Sequence, residues 1–80
     1  MPHTISEITP KVLATRVGRN LRRLRDRQGL TREAISKQCR CHPDTIAHYE
    51  MGTRQAFEGL VILLRAAEAL GCRLDDLLED

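Results

Sequence analysis

Apolar residues recur along the chain at the period of a helix. Leu13, Val17, Leu21 and Leu24 follow one another at steps of four, four and three, forming one stripe, with Arg16, Arg19, Arg22, Arg23 and Arg27 mostly off it. Thr9-Pro10 supplies the start: a side-chain acceptor at the cap, then a proline whose missing donor costs nothing at the first helical position. Gly29 stops this helix, and Thr31 caps a second, 32–39, that contains Glu33, Ala34, Ile35 and Gln38. After Arg40-Cys41 the chain turns. His42-Pro43 opens a third helix, 43–51, which runs through Ile46 and Tyr49 to Gly52 and is too short to form without neighbours. Phe57 to Leu70, FEGLVILLRAAEAL, reads as a fourth helix ended by Gly71, and Leu74 to Leu78 as a fifth. Nowhere do four or more residues alternate apolar and polar between turn signals, so no strand is expected. The pattern predicts an all-α, compact five-helix fold.

Composition limits what such a fold can do. Eighty residues make one small domain, which buries only about 60% of its extended surface and needs help from a metal, a disulfide or a partner. At 41% apolar and 30% charged, the chain is neither disordered nor membrane-spanning. One Phe, one Tyr and no Trp leave an aliphatic core and no stacked aromatic platform for single strands. Met1 to Pro10 contains no apolar run fit for a signal peptide, so a cytoplasmic location is expected, and three cysteines fit reduced thiols better than a disulfide framework.

Charge is unevenly spread. Residues 1–54 hold 11 Lys/Arg against 5 Asp/Glu, net +6, and residues 55–80 hold 2 against 6, net −4. One face is thus suited to a polyanion, although an Arg-rich helix can equally be a solvated face. A helix, a short turn and a second short helix opening with polar side chains is the geometry that places a helix end in a DNA major groove.

The segments VGRNLRRLRDRQGLTREAISKQCRCHPDTIAHYEMG and LVILLRAAEALGCRLDDLLED carry a resemblance. The motif Leu24-Arg25-x(3)-Gly29-Leu30-Thr31, the exit Tyr49-Glu50-x-Gly52 and the ending AEALG-x-x-LDDLL stand in order at matching spacing. Over residues 16–78 the chain resembles the phage-repressor (Cro/CI, XRE-type) helix-turn-helix family of transcription regulators. The resemblance implies a lambda-repressor-like DNA-binding domain over residues 10–80 with an N-terminal arm, 1–9. It also implies an ion pair between Arg25 and Glu50, and a phosphate contact from Arg32. Lys37, Arg40, His42 and Arg54 are further phosphate candidates.

Base reading falls to the first turn and outward face of the third helix: Pro43, Asp44, Thr45 and His48. Asp44 can accept from cytosine N4 or, alternatively, repel non-specific DNA; Thr45 offers a hydroxyl or methyl; His48 can donate to a purine N7. The chain departs from the family pattern in three places. Arg40 stands where the turn usually has Gly, Ser36 where the two short helices usually meet through Ala, and Arg73 where a cap Ser precedes the last helix.

Cys39, Cys41 and Cys72 with His42 and His48 raise a zinc hypothesis, but the spacing is poor, and core thiols with no metal and no cofactor are expected. No catalytic constellation or phosphate loop is visible, so the chain is not read as an enzyme. Val61 and Ile62, apolar where the family is usually polar, lie beside Leu60, Leu63 and Leu64 of the core. With Leu77 and Leu78 they suggest a homodimer interface for binding a palindromic operator. The alternatives are an arm folded over this patch through Ile5 and Ile8, or an antitoxin-like regulator whose fourth helix binds a second protein.

Overall fold

The computed structural model describes residues 8–54 and 56–80. Among the described residues five α-helices form: α1 (Pro10–Arg27), α2 (Arg32–Cys39), α3 (Pro43–Glu50), α4 (Leu60–Leu70) and α5 (Leu74–Leu78), with a 3-10 turn at Ala56–Gly59 before α4. No strand occurs among the described residues. The arm expected at 1–9 lies almost wholly outside them, as does Ile5; Ile8 is exposed.

Helix starts follow cap chemistry. Thr9 Oγ1 accepts the Val12 N–H at 3.1 Å and Thr31 Oγ1 the Ala34 N–H at 3.0 Å. At α5, where Arg73 replaces a capping side chain, the Asp76 carboxylate reaches back to accept the Arg73 N–H at 2.8 Å. That half of a capping box holds the helix start without a cap oxygen.

The core is aliphatic. Val17 and Leu21 of α1, Ile35 and Cys39 of α2, Ile46 and Tyr49 of α3, Leu63, Ala66 and Leu70 of α4 and Leu77 of α5 are all enclosed together. Helix α1 packs on α3 and α5, while α2 packs on α3 and α4. Ser36 is buried at the contact between the short helices, its hydroxyl donating to the Glu33 carbonyl at 2.8 Å, so the extra oxygen is satisfied. Asn20, also buried, donates to the carbonyls of Leu77 and Glu79 at 3.0 and 2.8 Å and fastens α5 to α1.

Three expectations are corrected. The fourth α-helix starts at Leu60 instead of Phe57, because Gly59 has a non-helical backbone (φ −141°) and lies directly against the Tyr49 hydroxyl, leaving no room for a side chain there. Leu77, expected on a dimer surface, is 0% exposed, and Ile62 and Leu78 also pack against the domain's own core. Conversely, Leu60 and Leu64, expected inside, are 49% and 48% exposed and flank Val61 at 58%. A helix that is apolar all round carries no sequence mark of which side faces inward.

Arg40 ends α2 in the left-handed region, φ 56° and ψ 46°, a backbone that its side chain disfavours. Arg40→Gly is therefore expected to stabilise the fold by about 1 kcal/mol, read as a higher urea midpoint at unchanged slope.

Candidate nucleic-acid interface

The first turn of α3 is organised by two residues outside regular pairing. Pro43 takes the first helical position, and His42 Nδ1 accepts the Asp44 N–H at 3.0 Å, so an imidazole serves as the N-cap. From there the side chains divide: Ile46 and Tyr49 are buried, Pro43 and Thr45 half-buried, and Asp44 and His48, one turn apart, exposed on the same face. Beyond the helix end, Thr53 closes the chain back onto α3. Its hydroxyl donates to the His48 carbonyl at 3.1 Å and lies 3.1 Å from His48 Nδ1.

The far end of α3 is clamped. The Glu50 side chain is 1% exposed, and its carboxylate accepts Arg25 Nε at 2.6 Å and Nη2 at 3.1 Å in a two-pronged pair. Arg25 also donates to the Leu30 carbonyl at 2.8 Å, which ties the start of α2 to the same cluster. Hydrogen bonding to Glu50 pushes the Arg25 pKa up from an already high value. A second arginine joins: Arg32 Nε donates to Glu50 Oε1 at 3.0 Å. The expectation that Arg32 serves an outside phosphate is modified here, since part of its guanidinium is engaged within the protein while the side chain stays partly exposed. The Asp26 carboxylate, 3.3 Å from Arg25 Nη1 at the exposed side, completes the cluster, so two guanidiniums face two carboxylates.

Of the other cationic candidates, Lys37 and Arg40 are exposed, whereas Arg54 is half-buried with its guanidinium 5.3 Å from the centre of the Tyr49 ring. Sequence reasoning missed an open cleft between α1 and the end of α3, where Lys11, Arg22 and Arg23 stand near Met51 and Gly52. The Arg-rich pattern of α1 was its only visible signal.

Cys39 is buried in the core, and Cys41 and Cys72, half-buried, pack against its edge. Burial pushes the Cys39 thiol up to about 11 from 9.0 and raises Cys41 and Cys72 as well. Thiols held protonated are poor nucleophiles and poor metal ligands. Among the described residues, no group of three His, Cys, Asp or Glu side chains is placed to hold a metal ion. Because the folded value of Cys39 lies above 9.0, its contribution to stability is complete below pH 9 and is lost as pH rises toward about 11. Cys39→Val is expected to flatten the fall in Tm across that window, measured by circular dichroism.

Among the described residues, no helix is long and apolar enough to cross a membrane. No curated protein and no solved structure matches the chain. A family model described as a helix-turn-helix domain matches residues 16–80, a span that takes in the Arg25–Glu50 clamp, the turn at Arg40 and the exposed face of α3. On that match, covering most of its length, the chain belongs to the helix-turn-helix domain family.

Proposed function

We propose that the protein is a sequence-specific double-stranded DNA-binding transcription regulator of the phage-repressor (Cro/CI) type, acting in the cytoplasm as a homodimeric repressor on an inverted-repeat operator. The observation that carries this reading is α3 itself: clamped at its C-terminal end by Glu50, it leaves Asp44, Thr45 and His48 along one accessible face. A helix so held can enter the major groove as a rigid body. Lys37, Arg40 and His42, all exposed, and the partly exposed Arg32 would contact phosphates, joined by Lys11, Arg22 and Arg23 of the α1 cleft that Asp26 and Glu50 also line. Arg54 joins them through whatever part of its guanidinium the Tyr49 ring leaves free.

Of the dimer surface the sequence suggested, Val61 is exposed and stays in the proposed patch, while Leu60 and Leu64 replace Ile62, Leu77 and Leu78. Leu60, Val61 and Leu64 make an exposed apolar strip on α4, and pairing two such strips across a two-fold axis would remove it from water and stabilise a small domain. The two recognition helices of such a dimer would meet half-sites about 34 Å apart.

Selection of bound duplexes from a random pool at physiological salt tests the whole reading. Expected is an inverted repeat with half-sites one helical turn apart, bound with an affinity that falls steeply as salt rises. A pool that returns no enriched sequence, or binding indifferent to salt, would overturn it.

A further inference from the structure

Histidine rings facing a groove can donate or accept through the same nitrogen, and which they do is fixed by what holds the other nitrogen. In α3 the two rings are held in opposite ways. His42 Nδ1 accepts the Asp44 N–H, so the proton of its neutral ring is on Nε2. For His48 the hydroxyl of Thr53 decides. That hydroxyl has one hydrogen, and it lies 3.1 Å from the His48 carbonyl, an atom to which it can only donate. With that hydrogen on the carbonyl, which the Thr53 N–H also approaches at 3.0 Å, the oxygen accepts from the group 3.1 Å away on its other side, His48 Nδ1, and that arrangement puts the ring proton on Nδ1. Nε2 of His48 is left as a bare lone pair at the exposed tip.

We infer that His48 reads DNA as a hydrogen-bond acceptor, selecting a base whose major-groove edge carries an exocyclic amino group, adenine N6 or cytosine N4, and that Thr53 is the positioning residue that sets this choice. The inference rests on the DNA-binding reading above and reverses the donor role that the sequence suggested for His48. Asp44, one turn earlier on the same exposed face, is an acceptor too, so the two side chains together favour adenine or cytosine over guanine or thymine on the strands they face. His42, with its Nε2–H, is the donor of the set and suits a phosphate oxygen.

Two measurements test this. Long-range proton–nitrogen correlation spectra of the neutral rings in the free protein should show His48 protonated on Nδ1 and His42 on Nε2. His48 protonated on Nε2 would overturn the inference whatever the DNA results. Duplex selection with the wild type should then show adenine or cytosine favoured roughly tenfold at the base pair whose preference His48→Ala erases. Thr53→Val, which keeps the shape and removes the hydroxyl, should let guanine in at that position with non-specific affinity unchanged, and Thr53→Ser should restore the preference. A wild type that selects guanine there, or a Thr53→Val protein with unaltered preference, overturns the inference while leaving DNA binding intact. If no duplex is selected by any of these proteins, the base-reading role falls together with the DNA-binding function.

Discussion

Replacing Glu50 by Gln is expected to remove about 3 kcal/mol of folding stability and to lower the melting temperature by roughly 12–24 °C for a domain of this size. The amide keeps the shape of the carboxylate but brings an N–H to a place where Arg25 and Arg32 both donate. Arg25, itself almost enclosed, loses its buried counter-charge and keeps only the solvent-exposed Asp26 at 3.3 Å, and that poorly compensated charge is the larger part of the cost. Arg32 loses less, since water reaches its side chain. Removing both partners with apolar residues, Arg25→Met with Glu50→Leu, should recover much of the loss, because the penalty belongs to the orphaned charge and not to the absence of a salt bridge. Thermal unfolding of the single and double variants checks this. A single variant that melts with the wild type would mean the carboxylate is solvated.

Gly18→Ala is the second large expected effect, a net loss of about 2 kcal/mol despite a residue better suited to a helix. A Cβ on Gly18 would stand 2.4 Å from the Tyr49 carbonyl oxygen and 2.7 Å from that of Glu50. Both are backbone atoms at the end of α3, with no flexible side chain to swing aside. The gain in helix propensity, about 1 kcal/mol, is outweighed because α3 must move bodily away from α1. The variant should therefore also disturb the Arg25–Glu50 pair and weaken selection of duplexes beyond what its stability loss explains. Urea unfolding gives the first quantity and binding at a temperature well below melting gives the second; a stabilised Gly18→Ala protein would show that the two helices do not meet at this distance.

What the sequence made legible follows from how local each signal is. The starts of α1, α2 and α3 coincide with Thr9-Pro10, Thr31 and His42-Pro43, since a cap or a first-turn proline acts on the few amides beside it. The left-handed turn at Arg40 could not be read, because arginine opposes that backbone and only packing of α2 on α3 and α4 enforces it. The start of α4 was misjudged for a similar reason: Gly59 leaves the helix where Tyr49, ten residues earlier, comes to rest against it. At the interface, Asp44 and His48 follow from helical period, whereas the second tie of Glu50, to Arg32, depends on the placement of α2 against the end of α3 and leaves no trace in spacing. Gly18 did leave one. A glycine in the middle of an otherwise helix-favouring run costs stability, and its presence signals a close approach that no pattern of apolar residues could identify.

The unequal fastening of α3 sets where it can yield. Its base shares one enclosed carboxylate with α1 and α2, so those amides open only when three helices separate, whereas its tip is secured by a solvent-facing imidazole and a proline. Fraying is thereby confined to the first turn, and a ligand that orders this turn pays for a few residues of lost freedom instead of a whole domain's.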